Sequence, residues 1–253
     1  MAIWVDSHCH VYMLDDPLVA VDRAIDEGIA WMMVPGVDLE TSLQARWIAE
    51  QRPDRVLWAA GLHPHDAEHW DDQQGRITAL AADASAIGEI GLDYYRNLSP
   101  RESQQRAFRD QMQLAKHLDI PAIIHTRDSF ADVYEIVAET DIGAKAIMHC
   151  WTGGPRWTKR FGELGATFSF AGPITYSTGD TVRRGAAEAP PERTLVETDT
   201  PYLTPEPHRG ETNRPEWSIL NGVALADIWG MEVADVERTT AENTARVFGS
   251  PRG

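Results

Sequence analysis

Five short apolar runs in this chain each stop on an imidazole or a carboxylate, and that repetition constrains the fold more than any other feature. Ile3-Trp4-Val5-Asp6 leads into His8 and His10, Ser85-Ala86-Ile87-Gly88 into Glu89, and Pro121-Ala122-Ile123-Ile124 into His125. Ala146-Ile147-Met148 leads into His149, and Thr194-Leu195-Val196-Glu197 into Asp199. Metal-binding side chains at the ends of separate strands describe one shared centre at one edge of a sheet. That edge is where barrel enzymes carry their chemistry.

Three more apolar runs, Trp31-Met32-Met33-Val34, Val56-Leu57-Trp58-Ala59 and Thr167-Phe168-Ser169-Phe170, bring the strand-like segments to eight, separated by longer amphipathic stretches. Near-continuous apolar runs between helices imply a parallel sheet buried on both faces. Eight such units in a chain of this length predict an α/β protein with an amidohydrolase-like (β/α)8 TIM barrel, one domain over residues 1–253. Ser99-Pro100-Arg101-Glu102 predicts a capping box opening a helix whose buried face carries Phe108, Met112 and Ala115. His117, near the end of that helix, is expected to be solvated. Pro201-Tyr202-Leu203-Thr204-Pro205-Glu206-Pro207 predicts a rim loop, and the tail from Ile219 to Phe248 predicts two helices parted at Gly230-Met231-Glu232.

With 43% hydrophobic and 25% charged residues the composition is that of a globular protein. No run reaches membrane-spanning length and no secretory leader precedes the first strand, so a cytoplasmic protein without a membrane is expected. Cys9 and Cys150 are too few for a disulfide framework. As neighbours of candidate ligands on strands, both should point their sulfurs to the outer helices. The formal net charge of -16 argues against a broad electrostatic grip on duplex nucleic acid.

Residues two apart on a strand share a face, so His8 and His10 can reach one cation together. Glu89, between glycines, can bridge that cation to a second held by His125 and His149, leaving Asp199 for the first and for taking a proton from an attacking water. Glu197, of the same parity as Asp199, is expected to make a structural hydrogen bond. His63 and His65 in Gly61-Leu62-His63-Pro64-His65 are expected to touch substrate. Of the rim arginines 96, 127, 156, 209 and 214, Arg127 is the one best placed to hold phosphate. Trp151 and Trp157, flanking Gly153-Gly154, are expected to pack against the rim rather than stack on a base.

These segments, together with Ile124-His125-Thr126-Arg127-Asp128, His149-Cys150 and Glu197-Thr198-Asp199-Thr200-Pro201-Tyr202-Leu203, resemble the TatD family of metal-dependent hydrolases, in order and over nearly the full chain. The resemblance implies a deoxyribonuclease-type phosphodiesterase with two divalent cations. It carries metal-binding roles to His8, His10, Glu89, His125, His149 and Asp199. Where the family has Phe-Ser-Gly after its His-Cys pair, this chain has Trp151-Thr152-Gly153, and Arg-Asn-Glu-Pro is replaced by Asn213-Arg214-Pro215-Glu216-Trp217. Both departures fall at the rim, where they bear on substrate choice.

The expected activity is hydrolysis of DNA phosphodiesters, at strand ends or in single strands, by a metal-activated water, with Asp199 and Glu89 as catalytic groups. The cations could be magnesium, manganese or zinc. No obligate protein partner is evident. Attack of the same water on an amide, ester or lactone is the rival enzymatic reading, and a metal-stabilised binding barrel the non-enzymatic one.

Overall fold

The structure is a computed structural model and describes residues 3–251. Its eight strands are β1 (Trp4–Asp6), β2 (Ile29–Pro35), β3 (Val56–Ala60), β4 (Ala86–Asp93), β5 (Ala122–Arg127), β6 (Ala146–Met148), β7 (Thr167–Phe170) and β8 (Thr194–Val196). They pair in parallel in chain order, β1 through β8. The ring closes just beyond the strand ends. Ser7 N donates to Val196 O (3.0 Å), Asp199 N to His8 O (2.9 Å) and His10 N to Thr200 O (2.8 Å). The buried carboxylate of Asp6 reinforces this seam, accepting from Thr198 N at 2.9 Å and Thr198 Oγ1 at 2.6 Å. The barrel predicted from the eight apolar runs is therefore present.

Around it lie α1 (Pro17–Asp26), α2 (Leu39–Gln51), α3 (Trp70–Ala81), α4 (Arg101–Leu118), α5 (Phe130–Thr140), α6 (Gly154–Glu163), α7 (Asp180–Glu188), α8 (Ser218–Trp229) and α9 (Val233–Phe248). Strand alternation divides the core in two. Inward residues Val5, Trp31, Met33, Ala59, Ala86, Ile123, Ile147 and Leu195 form a plug, closed by Phe248 from α9. Outward residues, among them Met32, Val34, Trp58, Ile87, Ile124, Met148, Phe168 and Phe170, pack under the helices. Since the lower interior is filled with apolar side chains, the polar groups gather at the carboxyl ends of the strands.

Two sequence expectations are corrected. The helix after β4 begins at Arg101, with Pro100 at its cap and no side-chain cap bond, so the box of Ser99 and Glu102 does not form. The Ser99 hydroxyl is engaged elsewhere: it donates to His65 O at 2.7 Å and accepts from Glu68 N at 3.3 Å, tying the β3 loop to the start of α4. The face with Phe108, Met112 and Ala115 is buried as expected, and His117 is exposed.

The second correction concerns the cysteines. Cys9 lies in the outer core, but Cys150 lines the cavity at the barrel mouth. β6 ends at Met148 and Cys150 has φ 45°, so strand alternation no longer governs its direction. Trp151 and Trp157 do pack: Trp151 is 2% exposed, and Trp157 stacks on Phe130 with centroids 5.8 Å apart. No helix among the described residues is long and apolar enough to cross a membrane.

Candidate metal centre

Glu89 is the hub of the polar mouth, and a break in β4 puts it there. Ile87 pairs with Ala122 but Ile90 with Ile124, so β4 spends one more residue than β5 over this stretch. Strict alternation would send Glu89 outward with Ile87. The bulge turns it inward, as bulges beside active sites do. Gly91 makes the recovery possible: with φ +138°, a Cβ there would meet His125 O at 2.1 Å.

The two oxygens of Glu89 face different imidazoles. Oε2 lies 3.4 Å from His8 Nε2 and 3.4 Å from His10 Nε2. Oε1 lies 2.9 Å from His125 Nδ1, 3.2 Å from His149 Nε2 and 3.4 Å from His63 Nε2. Asp199 Oδ1 completes the first side, 3.6 Å from His8 Nε2 and 3.5 Å from His10 Nε2. All six residues expected as ligands are thus gathered. His63, expected at the substrate, also stands among the imidazoles at Oε1, in a group with Glu89 and His125 that could hold an ion. It lies three residues beyond the end of β3, as the cap of the 3-10 turn Pro64–His69.

Around this ring, further groups fix the imidazoles. Glu197 Oε1 accepts from His149 Nδ1 at 3.0 Å and from Cys150 N at 2.7 Å, so beyond the structural hydrogen bond expected of it the residue orients an imidazole. His65 places Nε2 2.9 Å from Asp93 Oδ2, and His125 Nε2 lies 3.4 Å from the same oxygen. Asp93 also accepts from Tyr95 N and Arg96 N, and the sequence reading assigned it no role. Its place four residues beyond Glu89 on one strand was the available signal.

The electrostatics suit cations. Burial pushes the Glu89 carboxyl up, but His149 and His63, with hydrogen bonds from His10 and His125, hold it well below the usual carboxylate range. His149 is pulled down by burial and raised well above its ordinary value by Glu197 and Glu89. For His10, burial is likewise outweighed by Tyr12, Asp199 and Glu89. His8 is pushed down to about 3 by burial and by His149, and His63 to about 4 chiefly by burial. A carboxylate held below its usual range by its imidazole neighbours is a place where a cation would compete with protons. Imidazole nitrogens with a few carboxylate oxygens are the donors that borderline divalent metals prefer, so the residues fit such an ion.

Above Glu89 opens a cavity of about 710 Å³ lined by His10, His63, His65, His125, His149 and Asp199, with Arg96, Arg127, Leu98, Met13 and Tyr202 on its wall. Arg127 reaches it with its guanidinium 4.1 Å from the Tyr95 ring centroid.

A family model described as TatD related DNase matches residues 5–249. The chain belongs to the TatD-related DNase family. The metal-dependent hydrolase YabD of Bacillus subtilis (strain 168) is 35% identical over 252 residues, spanning 96% of this chain and 98% of its own. A TatD relative from Cronobacter sakazakii (strain ATCC BAA-894), named 3'-5' ssDNA/RNA exonuclease, is 35% identical over 245 residues, covering 92% of this chain and 91% of its own. The crystal structure of YJJV, a TatD homolog from Escherichia coli K12, superposes with a TM-score of 0.92 at 27% identity, each chain covered to 99%. As a TatD-family protein, the chain is a metal-dependent hydrolase.

Proposed function

We propose that this protein is a nuclease that trims single-stranded nucleic acid from an end, hydrolysing phosphodiester bonds over a pair of divalent cations. The observation that carries this reading is the division of Glu89. One oxygen faces His8 and His10 beside Asp199, and the other faces His63, His125 and His149. A carboxylate so divided suits a bridge between two ions. Two bound cations would neutralise phosphoryl charge and make an attacking water acidic. The imidazole-rich donor set favours manganese or zinc over magnesium, which prefers oxygen.

The protein's own groups do the remainder. Asp199, which lines the cavity, would take the proton of the attacking water. Glu197 holds His149 so that the nitrogen opposite stays aimed at the centre, and Asp93 holds His65 at the cavity wall. Arg127, braced on Tyr95, offers paired N–H groups to a phosphate oxygen, and His65 lines the same wall as a substrate contact. Among the described residues, the arginines that pair with carboxylates all lie elsewhere, leaving Arg96 and Arg127 free of ion pairs at the mouth. This local surplus supports nucleic-acid binding by a chain of net charge -16, and a short single strand needs less neutralisation than a long duplex. We place the protein in the cytoplasm, a reading supported by its two cysteines, neither of which is in a disulfide.

A 5′-labelled oligonucleotide incubated with the protein and Mn²⁺, Zn²⁺ or Mg²⁺ tests this. The single strand should shorten stepwise from its 3′ end, faster than the matching duplex, and chelation should stop it. An intact single strand in every cation, with rapid hydrolysis of a simple ester or lactone, would assign the centre to carbonyl chemistry.

A further inference from the structure

A second, smaller cavity lies beside the metal centre on the same rim. It measures about 270 Å³ and is lined by Tyr176, Leu203, Thr204, Arg209 and Gly210. Leu203 also lines the larger cavity, so the two spaces meet across one side chain. Pro173, on the 3-10 turn Gly172–Thr175 that follows β7 and leads into Tyr176, lines the larger one as well.

Arg209 projects over this space with its Cζ 3.8 Å from the Tyr176 ring centroid. A guanidinium stacked in this way is held by its face and keeps its N–H edge for an anion. The geometry repeats that of Arg127 on Tyr95, 4.1 Å apart, in the larger cavity. Among the described residues no carboxylate pairs with Arg209, and Glu211 of the same loop is paired with His208 at 3.0 Å. In a chain with 39 acidic and 23 basic side chains, a guanidinium left unpaired beside the reaction cavity is well placed for an anion from outside.

The loop that carries Arg209 is itself held. Buried Asn213 donates from Nδ2 to Thr198 O at 2.9 Å and to Tyr202 O at 2.6 Å, and Thr204 Oγ1 donates to Glu211 O at 2.7 Å. Glu206 N donates to Thr175 Oγ1 at 2.9 Å, joining the loop to the turn that precedes Tyr176. Both members of the stack therefore stand on braced backbone. The site needs no closure to form.

We propose that the Tyr176–Arg209 cavity is a strand-binding subsite. It takes the sugar-phosphate chain of the nucleotides next to the one being removed, with Arg209 on a phosphate and Leu203 as the ridge the strand crosses. The assignment rests on the reading of the chain as a single-strand nuclease and gives that reading a length dependence. A dinucleotide fills the metal centre without reaching Arg209. A longer strand gains the second contact.

The test uses two oligothymidylates, one of two and one of twelve nucleotides, with wild type, Arg209→Ala and Tyr176→Phe. In Mn²⁺, Arg209→Ala should raise KM for the longer strand roughly tenfold and leave its kcat and the dinucleotide kinetics unchanged. Tyr176→Phe keeps the stack and should match wild type. Fluorescence anisotropy in EDTA reads binding apart from cleavage: wild type should hold the longer strand more tightly, and Arg209→Ala should erase that difference. Equal losses on both substrates, or no loss on either, would overturn the subsite, as would equal binding of the two lengths by wild type. Length-dependent binding without cleavage in any cation would instead remove the nuclease reading and leave the subsite standing.

Discussion

Glu89→Gln should lower phosphodiester hydrolysis by at least about a thousandfold while the protein stays folded, a loss on the scale of several kcal/mol of charge stabilisation. Glutamine matches glutamate in volume, so the bulge in β4 and the packing around it can persist. What changes is charge and donor type. The two carboxylate oxygens that face His8 and His10 on one side and His63, His125 and His149 on the other become one neutral oxygen and one NH₂ group. An NH₂ group cannot ligate a cation, so one half of the centre is lost outright.

Stability should be affected far less. Glu89 raises His10, His125 and His149 only in part, alongside Tyr12 and Asp199 for His10, Asp93 for His125 and Glu197 for His149. The bonds of His149 to Glu197 and of His10 to Tyr12 remain, so the imidazoles keep partners when the Glu89 charge is removed. Steady-state kinetics on a single-stranded oligonucleotide, with thermal melting in EDTA, check both halves. Activity within tenfold of wild type would remove Glu89 from the reaction.

The second large effect is expected at a residue that reaches no substrate. Glu197 is fully buried and accepts from His149 Nδ1 at 3.0 Å and Cys150 N at 2.7 Å. It sets the imidazole so that Nε2 faces Glu89, and its charge makes that nitrogen a better donor. Glu197→Gln keeps an oxygen for Cys150 N but gives up the charge facing His149. Metal affinity should fall by about 10–100-fold, the range usual for such orienting carboxylates. Titration with Mn²⁺ measures it, and saturating metal should restore most of the turnover. An unchanged affinity would reduce Glu197 to a strand-end hydrogen bond.

Much of this centre is written in the sequence because parallel strands bury both faces and read as plain apolar runs. Ile123 inward and Ile124 outward place His125 inward, and Ile147 and Met148 do the same for His149. Glu89 is different. Parity alone would have pointed it outward, and the extra residue that reverses it shows only in the pairing of β4 with β5.

Elsewhere the sequence misled where a local motif had a tertiary competitor. Ser99 has the spacing of a cap, but its hydroxyl is drawn to His65 O across the mouth. Cys150 has the spacing of an outward strand residue, but the strand has ended two residues earlier. Asp93 was passed over because its partners, His65 and His125, lie on other elements and nothing near it in the chain announces them. The rim tryptophans pack as their reading expects, with Trp151 2% exposed, and at the mouth the exposed aromatics are Tyr95 and Tyr202, 64% and 55% accessible.

Everything in the proposed chemistry depends on cations lying to either side of one carboxylate. Anomalous diffraction from crystals grown with Mn²⁺ tests that directly. Two peaks are expected, one among His8, His10 and Asp199 and one among His125 and His149, each within coordination distance of a different oxygen of Glu89. A single peak, or peaks that leave Glu89 without an ion on one side, would contradict that chemistry.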